Sequence, residues 1–142
     1  MHIPRAATAV AAASPRLAVY YDQWHPSSIT KDQTAGITHV ITAFAESTLF
    51  NSDPPQSYQP FVDVATLRGL FDEGTQVCMA IGGWGDTAGF SVAQKDQASR
   101  ETFAKGVAST VESLGYDCVG TYPVLGSPFD VFLCKMNAET RQ

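Results

Sequence analysis

The sequence predicts an α/β fold built on a parallel sheet, and two observations predict it. Four apolar runs recur along the chain, the second rich in β-branched residues, and each breaks off in Gly, Pro or polar residues. Between them lie stretches whose apolar residues fall at helical spacing. A strand that is apolar at nearly every position suits a sheet covered on both faces, as parallel sheets are. The alternation of strand and helix sets the class.

The first run, residues 16–21 (Arg-Leu-Ala-Val-Tyr-Tyr), ends in the polar loop Asp22-Gln23-Trp24-His25-Pro26. Residues 28–35 form at most a helical turn before the stop at Gly36. Residues 37–45 (Ile-Thr-His-Val-Ile-Thr-Ala-Phe-Ala) are a second buried strand. The loop 46–60 holds Asn51, Ser52, Asp53, Pro54 and Pro55, a cluster that opposes regular structure. It is long for a strand-to-helix connection, and such loops often serve a site.

Val64, Leu67, Leu70 and Phe71 mark a helix over 61–71, closed by Gly74. Residues 76–81 (Gln-Val-Cys-Met-Ala-Ile) are a third buried strand and run directly into Gly82-Gly83-Trp84-Gly85. Ala98, Phe103, Val107, Val111 and Leu114 share one face of a long helix over 96–114, capped by Gly115, and residues 116–120 open a fourth strand. The order β-α-β-α-β-α-β allows a right-handed crossover at each step. A closed (β/α)8 barrel takes ~250 residues. The 142 residues here hold three such units and the start of a fourth, so the sheet is expected to be either open by design or the N-terminal half of such a TIM barrel, truncated at about strand 4. The expected organisation is a leader over 1–15, a partial barrel over 16–120 and a divergent tail over 121–142.

With 44% apolar and 16% charged residues, the chain has the composition of one small globular domain. The net charge is −5 and the nine Lys and Arg are scattered singly. No basic stripe is present to neutralise phosphates, so nucleic acid and anionic lipid are not expected partners. No run approaches the ~20 apolar residues of a membrane span. The start, with His2 and Arg5 before the Ala-rich 6–13, has the order of a secretory signal but a weak apolar region. The alternative is a disordered or helical leader that Pro15 ends. Cys78, Cys118 and Cys134 are an odd set without Cys-x-x-Cys spacing, which indicates neither a zinc site nor a complete disulfide framework. No metal or cofactor is expected.

In α/β folds ligands bind beyond the C-terminal ends of the strands. The residues there are Tyr20 and Tyr21 with Trp24, Phe44, and Gly82-Gly83-Trp84. Flat apolar rings beside small polar groups suit pyranose sugars, although each ring taken singly more often fills core. The segment 83–88 formally fits the dinucleotide pattern G-x-G-x-x-A. Trp84 and Asp86 would crowd and repel a pyrophosphate, and no helix opens at Gly85. There is no G-x-S-x-G and no His-Glu-x-x-His. His25 and His39 stand alone and read as structural, and Glu46 and Asp86 read as solvated loop acids.

The segments 17–24 (Leu-Ala-Val-Tyr-Tyr-Asp-Gln-Trp), 38–45 (Thr-His-Val-Ile-Thr-Ala-Phe-Ala), 79–84 (Met-Ala-Ile-Gly-Gly-Trp) and 115–119 (Gly-Tyr-Asp-Cys-Val) resemble, in order and spacing, the first four strands of glycoside hydrolase family 18, the chitinases, with a fungal flavour. Ala80 occupies the Ser position of that family's Ser-x-Gly-Gly strand motif. The resemblance implies hydrolysis of β-1,4 N-acetylglucosamine linkages in chitin by the parent enzyme and an extracellular location for the family. Tyr20 would line the floor of the sugar cleft, Phe44 would pack beside the reacting sugar, and Trp84 would offer a stacking wall. Gly82 and Gly83 would let the backbone pass close to the cleft.

The resemblance also implies a substrate-assisted mechanism. A Glu protonates the leaving oxygen while a neighbouring Asp orients the substrate's acetamide, both supplied by the pattern Asp-x-x-Asp-x-Asp-x-Glu on one strand. Alternate strand residues share a face, so the last Asp and the Glu point into one cleft. In register with Asp117, the remnant of that pattern, the other acids fall at Gly120, Tyr122 and Val124. The expected function is therefore a chitinase-like fragment inactive for lack of the Asp-x-Glu pair, with weak binding of chitin or its oligosaccharides. The alternative is a chitin-binding lectin. Strand edges at the first and fourth strands are expected to lack partners and to favour self-association or a poorly soluble, molten chain.

Overall fold

The computed structural model describes residues 15–25, 28–122 and 132–134. The expected leader, apart from Pro15, and most of the expected tail lie outside them. The elements are β1 (Ala18–Asp22), a 3₁₀ turn (Lys31–Thr34), β2 (His39–Ala45), a second 3₁₀ turn (Ser47–Phe50), α1 (Val64–Leu70), β3 (Gln76–Gly82), α2 (Ala88–Ala93), α3 (Gln97–Leu114), β4 (Cys118–Tyr122) and β5 (Phe132–Cys134). They form a sheet of order β1-β2-β3-β4-β5 in which the first four strands run parallel.

The helices start where short polar side chains cap them. Asp63 accepts a bond from the Thr66 N–H at 2.8 Å to open α1, and Asp96 accepts one from the Ser99 N–H at 2.7 Å to open α3. Gly115, at φ 79°, ends α3 in the left-handed conformation. Two short elements interrupt stretches that the sequence leaves irregular: the 3₁₀ turn Ser47–Phe50 inside the long loop, and α2 between Trp84 and α3.

One face of the sheet carries the main core. Val40, Val77, Met79 and Ile81 meet Leu67, Phe71 and Val111 from the helical side, with Phe50 buried among them. Phe103 of α3 meets the Phe50 ring edge-on at 5.7 Å. Thr42 donates to the Tyr116 hydroxyl at 3.2 Å within this core, and burial pushes the phenols of Tyr116 and Tyr58 up from their ordinary range. The other face gathers Ile41, Cys78, Ala80 and Cys118, with Phe44 against them. Every residue of β3 after Gln76 is buried, as its unbroken apolar sequence predicts.

Three expectations need correction. β1 is not covered on both faces: among the described residues it pairs with β2 alone, and Ala18 and Tyr20 are exposed. Cys78 and Cys118 are joined, although the spacing of the three cysteines indicates no complete disulfide framework. The parallel register sets them directly opposite each other on β3 and β4, and they form a disulfide. The edge of β4 is not bare either. β5, from the stretch read as a divergent tail, runs antiparallel to it with Cys118, Val119 and Gly120 opposite Cys134, Leu133 and Phe132. An antiparallel return needs only a reversal of the chain, whereas another parallel strand would need a crossover helix.

Candidate functional site

At the C-terminal ends of β1, β2 and β3 lies a cleft of about 600 Å³ whose lining includes Trp24, Phe44, Glu46, Gly83, Trp84 and Asp86. Each strand delivers its contribution through a different local device.

From β2 comes Phe44. The Ala43–Phe44 peptide is cis, and the pairing of β2 with β3 shifts register between Thr42 and Ala45. The Phe44 ring lies 6.5 Å from that of Trp24 and 6.2 Å from that of Tyr20, both tilted by about 40°. From β3 come Gly82 and Gly83, both at positive φ (101° and 114°). A Cβ on Gly83 would sit 3.0 Å from Cδ2 of Phe44. The glycine thus makes room for the Phe44 ring, a more specific reason than a general close approach of backbone to ligand.

Trp84 stands at the apex of the turn that follows, where the Asp86 N–H donates to the Gly83 carbonyl at 3.2 Å. Its side chain is 95% exposed. Asp86 is not a solvated loop acid. Its carboxylate accepts bonds from both the backbone N–H (2.6 Å) and the hydroxyl of the buried Ser47, and that hydroxyl accepts in turn from the Gly89 N–H at 2.9 Å. A Cβ on Gly89 would fall 2.2 Å from the Ser47 carbonyl carbon, so α2 packs hard against the β2 loop. Asp86 therefore ties the Trp84 loop to the loop after β2. Glu46 is exposed on the cleft wall.

β1 supplies Trp24. Asp22, the last residue of the strand, accepts on Oδ1 from the Trp24 N–H (2.8 Å) and the His25 N–H (2.9 Å). His25 is not alone: its Nδ1 lies 3.0 Å from both carboxylate oxygens of Asp22. His39 sits at the opposite end of the sheet with Nδ1 2.8 Å from the Thr38 hydroxyl, and burial followed by the charge of Arg16 pushes its pKa down.

Of the residues singled out from the sequence, Phe44, Gly82, Gly83 and Trp84 line this cleft together. Tyr20 does not; it is half-exposed and lines a neighbouring apolar hollow with Ile29 and Phe71. Trp24, a strand-end aromatic to which the resemblance assigns no sugar contact, also lines the cleft. Its position at a strand end, four residues after Tyr20, was the available signal. Asp117 lies at the far, N-terminal end of the sheet. It accepts from the Val77 N–H and from Arg68 Nη2, both at 2.9 Å. Gly120 and Tyr122 stand opposite Ala80 and Gly82 in the β3–β4 register, and position 124 lies outside the described residues. Among the described residues, the carboxylates lining the cleft are Glu46 and Asp86.

The model of glycosyl hydrolases family 18 matches residues 16–120. The chain belongs to that family. Two crystal structures of the chitinase RmChi1 from Rhizomucor miehei superpose on this family 18 chain with TM-scores of 0.57 and 0.55, at 25% identity and over 82% of its length. The chain covers 31% and 36% of those two chains, about a third of their length. Its parallel α/β sheet thus corresponds to the N-terminal part of a chitinase barrel. Among curated proteins, none matches.

Proposed function

We propose that this family 18 chain recognises β-1,4-linked N-acetylglucosamine oligosaccharides through the aromatic cleft at its strand ends and does not hydrolyse them. The observation that carries the reading is the pairing of two exposed tryptophans, Trp24 and Trp84, around Phe44 at the end of the sheet where α/β folds bind ligands. Exposed indole rings offer flat apolar faces to the C–H faces of a sugar. Glu46 and the backbone of the glycine turn offer hydrogen-bonding groups to its hydroxyls. The likeness to the chitinase RmChi1 supports N-acetylglucosamine as the sugar.

Absence of turnover rests on β4. A family 18 mechanism asks for Asp and Glu on one face of that strand at positions 122 and 124, where this chain has Tyr and Val. A general acid must lie within hydrogen-bond reach of the leaving oxygen. Asp86 is committed to Ser47 and Asp117 is at the wrong end of the sheet. Incubation with a fluorogenic chito-oligosaccharide should release no fluorophore above buffer, while titration with chitotetraose should quench tryptophan emission. Release of fluorophore, abolished by Glu46→Gln, would overturn the inactive reading. A second reading, a dedicated chitin lectin, shares the same exposed tryptophans. Retention on a chitin column through extensive washing, rather than fast elution, would favour it.

A further inference from the structure

The two tryptophans reach the cleft on different supports. Trp84 stands on a turn clasped from below through Asp86 and Ser47, both at least partly buried. Trp24 stands on an exposed loop, is itself 61% exposed, and is followed directly by His25, whose side chain is 84% exposed. A ring on such a loop loses conformational freedom when a ligand stacks on it, and that loss weakens binding unless the loop is ordered beforehand. The Asp22 carboxylate is the group placed to order it. Its Oδ1 takes the backbone N–H groups of Trp24 and His25 at 2.8 and 2.9 Å, and the His25 ring closes on the same carboxylate at 3.0 Å.

We infer that Asp22 is a positioning residue for sugar recognition, which holds the Trp24 indole beside Phe44 as the second stacking surface of the cleft and acts through Trp24 without touching the ligand. The inference rests on the sugar-binding reading above and adds the residue that preorganises it. Its geometry is specific. Two successive backbone donors on one oxygen fix the direction in which the chain leaves β1, and that direction sets the Trp24 ring 6.5 Å from Phe44. The His25 contact is the first cause that holds the Asp22 carboxyl below its ordinary value, so the acceptor stays ionised near neutral pH. A carboxylate facing Nδ1 also keeps the imidazole proton on that nitrogen, whether the ring is neutral or charged.

The test separates positioning from binding. In a Trp84→Phe background Trp24 is the single tryptophan of the chain, and its fluorescence anisotropy reports the order of its loop. Adding Asp22→Ala should lower that anisotropy, whereas Asp22→Asn, which keeps an oxygen acceptor for the two N–H groups, should restore most of it. In the chain with both tryptophans, Asp22→Ala should weaken chitotetraose binding by about three- to tenfold with the thermal midpoint unchanged, since the turn is exposed. Trp24→Ala should weaken it at least as much.

Unchanged anisotropy in Asp22→Ala overturns the positioning role. Lowered anisotropy with unaltered affinity overturns its part in recognition, and Asp22→Asn behaving like Asp22→Ala overturns its assignment to the backbone bonds. Failure of the unaltered chain to bind chitotetraose overturns the sugar-binding reading instead, and the anisotropy arm then decides the role of Asp22 at the loop by itself.

Discussion

The two ends of the sheet use the same side chains for opposite purposes. At the N-terminal end, carboxylates and hydroxyls join elements to one another. Asp117 binds the Val77 N–H and Arg68, Asp72 accepts from the Gly36 N–H, and the Thr75 hydroxyl donates to the Ile37 carbonyl at 2.8 Å. At the C-terminal end, the carboxylates of Asp22 and Asp86 hold loops, and each of those loops carries a tryptophan left exposed. An aspartate at one end thus holds the fold together; at the other it shapes a surface. If the cleft binds sugar as proposed, strand direction separates stability from recognition, and changes at each end should separate in the same way.

The largest effect should come from the cross-link between β3 and β4. The Cys78–Cys118 disulfide spans 40 residues of sequence and joins β3 to β4. Replacing both cysteines by alanine should cost about 4 kcal/mol in chain entropy, read by urea unfolding. Affinity for chitotetraose should stay the same at temperatures where the variant remains folded. A loss of affinity in the folded variant would show that the two ends are coupled through the middle of the sheet.

Next in size is Asp117→Ala, which leaves the Val77 N–H and the Arg68 guanidinium without their carboxylate. Removing an ionised acceptor from a partly buried N–H should cost about 2 kcal/mol. Its effect should fall on the unfolding midpoint and spare the cleft. Were Asp117→Ala to leave the unfolding midpoint in place and weaken sugar binding, the division of labour between the two ends would be wrong.

What the sequence showed and what it hid follow the same division. β2 and β3 are legible because covered parallel strands need unbroken apolar runs, and α1 and α3 because their apolar residues keep a 3.6-residue period, which Gly115 stops in α3. The family is legible because four of its strand motifs recur in order and spacing. Contacts set by register are hidden: nothing local shows that Cys78 faces Cys118 across 40 residues, or that Asp117 points at Val77. The short α2 is hidden because Gly89 lies within it, and that glycine is needed for packing against Ser47. The ties of Asp86 are hidden because its partner, Ser47, sits 39 residues away in a loop whose composition opposes regular structure. Return of the chain as β5 left no signal, since a three-residue strand is too short to show a period.

At the recognition end, Gly83→Ala tests the support of Phe44. The position has φ 114° and the new Cβ would press on the Phe44 ring. The backbone alone should cost about 1–2 kcal/mol, and displacement of Phe44 should lower sugar affinity as well, so both readouts move. Trp84→Ala should move one only. Loss of its stacking face should weaken chitotetraose binding by about tenfold, or about 1.4 kcal/mol, with unchanged unfolding. If binding survives Trp84→Ala intact, Trp84 is not part of the sugar surface.

The smallest effect belongs to His39, at the stability end. Burial first, then the positive charge of Arg16, lowers its pKa from the ordinary 6.5. The folded chain therefore prefers the neutral ring, whereas the unfolded chain takes up a proton as the pH falls through 6.5. Native stability from this group is complete above that value. It declines as the pH drops and levels off once the folded ring is protonated too. His39→Gln, which keeps a polar side chain beside Thr38, should flatten unfolding free energy against pH in this window. It should leave the pH dependence of sugar binding as it was, because His39 lies at the far end of β2 from Phe44. A flattened binding profile with an unchanged stability profile would place the titrating group in the cleft and break the comparison at its least conspicuous point.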